Sequence, residues 1–216
     1  MTDHPPSPRP PPLAYRRGRD RADAVQARAS DEVERLIAAA LEVLGGSATA
    51  DLSVRDVVRI AGLSNAAFYR HFKSKDELLL AIVDFGQRTL VAHLEARMAA
   101  VDDPAGRIAV WVRRMLAQAA PAAARPTRPF VLDLPRLYSK FPGEMNVAAA
   151  AVMAPLTRAI AALDPPVADV ERAVMSTYDV VDGALQRHLL RQTSADDEEQ
   201  EAIVAYVLRA LGASGR

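Results

Sequence analysis

The chain has 216 residues, half of them hydrophobic, and its equal numbers of basic and acidic residues give a formal net charge of zero. This length and apolar fraction suffice for one or two well-packed cores. There is no cysteine, which excludes a disulfide framework, thiolate catalysis and zinc–thiolate sites. No apolar run approaches the roughly 20 residues of a membrane span, and the N-terminus is proline-rich where a signal peptide would be apolar. We therefore expect a cytoplasmic protein with no membrane partner.

The first 29 residues differ in composition from the rest of the chain. Six prolines lie among the first twelve positions, and five arginines follow between Arg16 and Arg28. Such a segment buries little apolar surface, so residues 1–29 are predicted to form a disordered arm. The arm could follow the phosphate backbone of DNA or enter its minor groove, or it could be a solubilising tail.

A helix is predicted to begin at Ser30, because Asp31 and Glu32 suit its positive end. Gly45 and Gly46 are expected to end it. Its buried stripe consists of Val33, Leu36, Ile37, Ala40, Leu41 and Leu44.

The run from Leu52 to Leu80 is the most informative part of the sequence. Ser53 can cap a short helix, and Gly62 can take the left-handed conformation that stops this helix and turns the chain. A second short helix follows Ser64, and a capping box of Ser74 and Glu77 opens a third. Two short helices joined by a glycine turn are typical of the helix-turn-helix, whose second helix enters the major groove of DNA.

The polar second helix completes a specific pattern. The segment Leu63-Ser-Asn-Ala-Ala-Phe-Tyr-Arg-His-Phe-Lys-Ser-Lys-Asp-Glu-Leu-Leu79 resembles the recognition helix and the following helix start of TetR-type transcriptional regulators, and the close match covers about Ser30 to Phe85. The resemblance implies an all-α fold of about nine helices. It implies a DNA-binding domain over 30–85, with the helix-turn-helix at about 53–72, and a helical bundle over 86–216 for ligand binding and dimerisation.

The same resemblance implies roles in DNA binding. Phosphate contacts are expected from Ser53, Tyr69 and Lys75, with Arg55 a further candidate. Asn65, Ala66 and Arg70 are expected on the base side. Ser64, Ala67 and His71 complete the predicted interface; His71 could face phosphate or pack inside, and Ser53 could be a cap alone.

Local charge favours a nucleic-acid partner although the net charge is zero. Residues 1–75 carry 12 basic and 9 acidic side chains, and between Arg55 and Lys75 there are five basic residues and one acid. Phosphate contact requires only a local positive field.

Beyond Phe85 the pattern stays helical. The predicted elements are an amphipathic helix at Ile108–Ala119, a connection at Pro121–Pro129, a short helix at Phe130–Phe141, a helix at Gly143–Leu163 interrupted at Pro155, a long helix from Pro165 and Pro166 to near Gln192, and a last helix capped by Thr193 or Ser194.

In TetR-like proteins the last two helices pair with those of a second subunit, so the resemblance implies a homodimer through about residues 166–212. Gly183 gives independent support, because glycine inside a helix costs about 1 kcal/mol unless a close approach requires it. That approach could also come from within the subunit.

The resemblance also places a small-molecule effector in the C-terminal bundle. Aromatic and methionine side chains build adaptable apolar pockets, although at helical spacing they also build plain cores. The candidate lining residues are Trp111, Met115, Phe130, Leu134, Tyr138, Met145, Met153, Met175, Tyr178 and Asp179.

Catalysis and cofactor binding are not expected. The sequence has no Ser-His-Asp order, glycine-rich phosphate loop or dinucleotide fingerprint, and Asp182 and His188 are six residues apart on different faces of a helix. We therefore predict no enzyme, no cofactor and no metal. The predicted function is a dimeric repressor that a small ligand releases from a pseudo-palindromic DNA operator. The alternative, suggested by alanines at positions 66 and 67 where TetR-type proteins usually have glycine and a hydroxyl residue, is a helical regulator that acts through protein partners.

Overall fold

The computed structural model describes residues 13–46, 52–121 and 134–213, and the side chains of the first range from Gln26 onward. These ranges contain helices and no strand, which confirms the all-α prediction. The helices are α1 (Leu13–Gly46), α2 (Val54–Ala61), α3 (Asn65–His71), α4 (Lys75–Ala99), α5 (Pro104–Leu116), α6 (Leu134–Lys140), α7 (Pro142–Ala161), α8 (Val170–Arg191) and α9 (Asp197–Ala210), with a short 3₁₀ turn at Ala117–Ala119.

Serine side chains begin three of the N-terminal helices. Ser53 Oγ accepts the backbone N–H of Asp56, Ser64 Oγ that of Ala67, and Ser74 Oγ that of Glu77. Each serine satisfies one of the amide groups that a helix leaves unpaired in its first turn. The helix starts predicted from Ser53, Ser64 and Ser74 are confirmed.

The start of α1 differs from the prediction. This helix begins at Leu13 and continues through Ser30 without a break, so residues 13–29 are helical where the sequence pattern predicts disorder. The segment after the last N-terminal proline is rich in alanine and arginine, both strong helix formers, and these extend the helix backwards. Residues 1–12 of the predicted arm lie outside the described residues.

The starts of α8 and α9 were also predicted wrongly. Asp169 caps α8 through the N–H of Arg172, so Pro165 and Pro166 precede the helix. Asp196 caps α9 through the N–H of Glu199, in place of Thr193 or Ser194. An aspartate side chain both accepts this hydrogen bond and places negative charge at the positive end of the helix.

The proline inside α7 does not interrupt the helix. Pro155 is buried, and α7 runs from Pro142 to Ala161 as one element. Since α7 packs along α4 and α5, tertiary contacts offset the hydrogen bond that the proline removes. Residues 122–133, which hold most of the predicted connection and Phe130, lie outside the described residues, and α6 covers only 134–140 of the short helix predicted at 130–141.

Two hydrophobic cores share one helix. The first core is built by α1, α2, α3 and the first part of α4, and it includes the fully buried Phe68. The second core is built by the last part of α4 with α5, α7, α8 and α9, around the fully buried Trp111. The continuous helix α4 contributes Leu78 to the first core and Leu94 to the second, so it takes part in both.

Helix α6 packs against the first core. Leu137 of α6 and Met145 of α7 are buried in the first core, although they lie far along the chain from its other members. Within the described ranges, no helix has the length and apolar character needed to cross a membrane.

Candidate DNA interface and regulatory cavity

The turn between α2 and α3 has the geometry expected of a helix-turn-helix. Gly62 lies at φ 64° and ψ 35°, in the left-handed region, and ends α2. The N–H of Leu63 then donates to the carbonyl of Val58 at 2.9 Å. A side chain at position 62 would strain this conformation, so the predicted role of Gly62 is confirmed.

Arg35 of α1 holds the same turn from outside. Its Nη2 donates to the carbonyl oxygen of Ala61 at 2.5 Å and to that of Gly62 at 3.3 Å. The carbonyls at a helix C-terminus lack intrahelical donors, and a cation there also complements the helix dipole. Arg35 was not predicted, because it lies 26 residues before its acceptor and no local pattern marks it.

One face of α3 is open to solvent. Asn65, Ala66, Tyr69 and Arg70 are exposed, and their spacing places them together along the helix. Tyr69 is 59% exposed, and its ring meets the edge of the buried Phe68 ring at a centroid distance of 5.1 Å. Phe68 therefore anchors the helix inward while the predicted base-side residues face outward.

Two predicted contact residues do not belong to this face. Ala67 is only 6% exposed, because it lies on the inner side of α3. The His71 side chain is 11% exposed and is directed to Glu32 of α1. The assignment of Ala67 is corrected, because it packs within the domain, and His71 takes the second of its two predicted positions, packed inside. Ser53 and Ser64 act as helix caps; Ser64 is exposed and Ser53 is half-buried.

Glu32 of α1 contacts both the exposed face of α3 and its inward side. Its Oε2 is 2.5 Å from Arg70 Nη2 and 2.7 Å from His71 Nε2. The hydrogen bond with His71, followed by that with Arg70, lowers the pKa of the Glu32 carboxyl below its ordinary value. Arg70 is therefore exposed and also paired with an acid.

Further basic residues surround α3. Arg55 on α2, Lys73 just before α4 and Lys75 at the first position of α4 are all exposed. The acid within this stretch, Asp56, lies 3.4 Å from Arg59. The distribution agrees with the locally positive field predicted from the sequence.

A charged cluster joins the start of α4 to α6. Asp76 is 8% exposed; its Oδ1 lies 2.6 Å from Arg136 Nη1 and its Oδ2 lies 2.6 Å from Lys140 Nζ. The hydrogen bond from Lys140 lowers the pKa of the Asp76 carboxyl, against the effect of burial, and Arg136 adds to this lowering. Asp76 directly follows Lys75, a predicted phosphate contact.

Among the described residues, the predicted pocket residues lie in different surroundings. Trp111 is fully buried and its Nε1 donates to the carbonyl of Val152 at 3.1 Å. Trp111 and Met115 are therefore core residues, and Met145 belongs to the N-terminal core. Tyr138, Met175 and Asp179 are exposed, Met153 and Tyr178 are half-buried, and Phe130 lies outside the described residues.

A cavity of about 210 Å³ opens between α4, the 3₁₀ turn that follows α5, α6 and α8. Its aliphatic lining consists of Ile82, Val83, Leu90, Leu134, Leu185 and Leu189. The amide side chains of Gln87, Gln118 and Gln186 complete it. Leu134 is the one predicted pocket residue among the described residues that line it. The glutamines were missed because the prediction selected aromatic and methionine side chains.

Polar groups lie beside this cavity. Burial raises the pKa of the Asp182 carboxyl, and its hydrogen bond with Gln186 acts in the opposite direction. Burial also raises the pKa of Tyr178, with Asp182 contributing. In the described part of the chain, no three His, Asp or Glu side chains are arranged to hold a metal ion.

Comparison with known proteins agrees with the geometry. Residues 36–82 match the family model described as bacterial regulatory proteins, tetR family. None of the curated proteins matches the chain significantly in sequence.

Solved structures share the fold along most of the chain. A TetR transcription regulator from Haloarcula marismortui is 21% identical with a TM-score of 0.65, over 86% of this chain and 98% of its own. RolR in complex with resorcinol is 17% identical with a TM-score of 0.62, and the match covers 87% of this chain and 90% of RolR. The regulator FadR from Bacillus subtilis in complex with stearoyl-CoA is 16% identical with a TM-score of 0.60, and the match covers 85% of this chain and 99% of FadR.

The α2–α3 unit has the geometry of a helix-turn-helix, and a helical bundle follows it in the chain. The family match spans this unit, and the structural neighbours share the fold over 85% to 87% of the chain. Residues 36–82 are therefore similar to tetR-type regulatory proteins in sequence, and solved TetR-type regulators share the fold of most of the chain.

Proposed function

We propose that this chain is a dimeric repressor that binds a pseudo-palindromic DNA operator through α3 and leaves it when a small ligand binds. The observation that carries the proposal is the exposed face of Asn65, Tyr69 and Arg70 on a helix fixed by Gly62 and Arg35. A helix held in this way can enter the major groove without the loss of conformational entropy that a mobile segment would incur.

The dimer is supported by the surface of α8 and α9. Val180 and Leu190 of α8 and Tyr206 of α9 are large apolar residues that remain exposed, and a groove of about 370 Å³ separates the two helices near Val180 and Tyr206. A Cβ on Gly183 would meet no atom within 4 Å among the described residues. A contact within the subunit therefore does not explain this glycine, whereas the close approach of a partner helix would.

A dimer also matters for specificity. One short recognition helix reads few base pairs, while two related by a two-fold axis read two half-sites whose separation matches the groove repeat of roughly 34 Å or a multiple of it. A ligand that favours another spacing lowers DNA affinity by its differential affinity for the two states.

Release by a ligand is supported by α6. Leu134 lines the cavity, Leu137 is buried in the N-terminal core, and Arg136 holds Asp76 at the start of α4. A ligand that displaces α6 would thus act on the DNA-binding domain through packed side chains and an ion pair. The relatives RolR and FadR, solved with resorcinol and stearoyl-CoA, have the same fold and are ligand-bound.

The test is binding to the DNA upstream of the protein's own gene, measured by fluorescence anisotropy over a range of salt concentrations. We expect specific binding that weakens steeply with salt, because phosphate contacts release counterions. Tyr69→Phe and Lys75→Ala should weaken binding to all sequences, and Asn65→Ala should change the preference between sequences.

Two results would contradict these assignments. Absence of binding at low salt would reject the DNA-binding function and favour a regulator that acts through protein partners. A Lys75→Ala variant with changed sequence preference and intact overall affinity would reject the phosphate role of Lys75.

A further inference from the structure

The cavity between α4, α6, α8 and the 3₁₀ turn contains a polar atom without a hydrogen-bond partner among the described residues. Gln87 of α4 lines the cavity, and its Oε1 is buried with no hydrogen-bond donor among the described residues. A buried acceptor left unpaired is destabilising, so native proteins rarely keep one without a use. The two other glutamines of the lining do have partners: Gln118 donates to the carbonyl of Arg114, and Gln186 bonds with Asp182.

The rest of the lining excludes a charged ligand. Among the described residues, those that line the cavity carry no charge, and the aliphatic side chains of Ile82, Leu90, Leu134 and Leu185 form much of its wall. An anion or a cation would lose its hydration there without gaining a counter-charge.

Cavity size limits the ligand further. The volume is about 210 Å³. An apolar protein cavity of about 150 Å³ holds one benzene molecule, so this one has room for a single ring with a short substituent. A long acyl chain or a polycyclic molecule would not fit without a rearrangement of the helices.

We infer that the effector is a small, uncharged, single-ring molecule with one hydroxyl or N–H group, which donates its hydrogen bond to Gln87 Oε1. The inference rests on the proposed ligand-responsive function and names the ligand class and the specificity-determining residue. Gln87 selects for the donor, and the aliphatic wall selects for the uncharged ring.

Three probes of similar shape separate these requirements. 4-Propylphenol has the ring and the donor, 1-fluoro-4-propylbenzene replaces the hydroxyl by a fluorine that cannot donate, and 4-propylbenzoate carries a charge. Dissociation constants are measured by isothermal titration calorimetry on the full chain without DNA. We expect 4-propylphenol to bind about tenfold more tightly than the fluoro compound, because only the phenol satisfies the buried acceptor. 4-Propylbenzoate should not bind.

Variants assign the preference to the cavity. Gln87→Leu keeps the size of the side chain and removes the acceptor, so the phenol and the fluoro compound should bind with similar affinity. Leu185→Phe fills the cavity and should weaken both by about tenfold or more. Gln200→Leu, at a glutamine of α9 that bonds to the carbonyl of Ala195, is the matched control and should leave both affinities unchanged. Circular dichroism and operator binding verify that each variant is folded.

Equal affinity of the wild-type chain for the phenol and the fluoro compound would overturn the inference. So would a preference for the phenol that persists in Gln87→Leu, or no binding of 4-propylphenol at millimolar concentration. If the operator binds normally and the phenol does not, only this inference fails. If the phenol binds as described and no operator binds, only the proposed function fails.

Discussion

Asp76 and Arg136 form an ion pair across 60 positions of sequence, with 2.6 Å between Asp76 Oδ1 and Arg136 Nη1. Asp76 lies in the first turn of α4, directly after the last helix of the DNA-binding unit, and Arg136 lies in α6. Lys140 holds the second carboxylate oxygen. The pair therefore connects α6 to the beginning of the helix that follows α3.

The first prediction concerns the stability of this connection. Asp76→Asn should lower the free energy of unfolding by about 1–2 kcal/mol, since it removes two charge-assisted hydrogen bonds whose cationic partners are partly exposed. Urea denaturation measures the effect. Asp102→Asn, at an exposed position between α4 and α5, is the control and should change stability by less than about 0.5 kcal/mol. Equal stability of Asp76→Asn and wild type would show that the ion pair contributes nothing.

The second prediction concerns pH. Because the pKa of Asp76 in the folded chain is lowered from its ordinary value of 3.8, its stabilising effect is complete above that value and is lost as the pH falls through the folded-state pKa. The difference in unfolding free energy between wild type and Asp76→Asn should therefore be constant near neutral pH and shrink in acid. Glu32 and Glu201 titrate in the same direction, but they are present in both proteins and largely cancel. A difference that grows as the pH falls would have the wrong sign for this mechanism.

A third prediction tests the turn of the helix-turn-helix. Gly62→Ala should destabilise the chain by about 1–2 kcal/mol, because an L side chain disfavours φ 64° and the new Cβ would lie 3.1 Å from Arg35 Nη2. Gly62→Asn should cost less, because asparagine tolerates the left-handed conformation. Gly86→Ala, inside α4 with no atom within 4 Å of the new Cβ, is expected to be stabilising by up to about 1 kcal/mol. Thermal or urea unfolding of the three variants measures the order of their stabilities. Equal stability changes for Gly62→Ala and Gly86→Ala would contradict the prediction.

The fourth prediction concerns Glu32, which pairs with the exposed Arg70. Glu32→Gln removes one negative charge beside α3 and releases the Arg70 guanidinium, so affinity for a non-specific DNA duplex at low salt should rise several-fold. Glu198→Gln makes the same change in net charge on α9 and should have much less effect, because it lies far from the DNA-binding unit. Anisotropy titrations on one duplex compare the two variants. A similar rise in both would mean that net charge, and not the Glu32–Arg70 pair, controls the affinity.

The fifth prediction tests the proposed dimer face. Val180→Arg and Tyr206→Arg should each shift the chain from dimer to monomer in light scattering after gel filtration, because they bury an unpaired charge in an apolar contact. Val147→Arg, at a position of α7 that is 71% exposed, is the control and should leave the molar mass unchanged. The proposal would be rejected by a wild-type chain that is monomeric at micromolar concentration, or by dimers that persist in both variants.

Local features of the DNA-binding unit were predictable from the sequence. The caps at Ser53, Ser64 and Ser74 and the left-handed Gly62 depend on interactions within a few residues, so their residue types identify them. The inward anchor Phe68 follows from helical periodicity. Predictions failed where several neighbouring residues could each begin a helix. The caps of α8 and α9 are aspartates, whereas the predicted starts were prolines for α8 and hydroxyl residues for α9.

Features that depend on distant parts of the chain were not predictable. Ala67 carries no sign in its sequence context that it packs inside, and His71 finds its partner Glu32 39 positions away. The cavity was not predictable for the same reason, because its wall comes from four separate elements. The local sequence around each lining glutamine does not distinguish it from a glutamine exposed to solvent.

The sequence by itself determined the helices, the helix-turn-helix and the resemblance to TetR-type regulators, because capping, glycine conformation and apolar periodicity act over one or two turns of chain. Only the tertiary structure decided how Asp76 joins α6, which face of α3 remains open beside Glu32, and where an uncharged cavity leaves Gln87 Oε1 without a hydrogen-bond donor among the described residues. These features arise when segments far apart in sequence pack together, and burial then changes the energy of each polar group according to neighbours that the local sequence does not name.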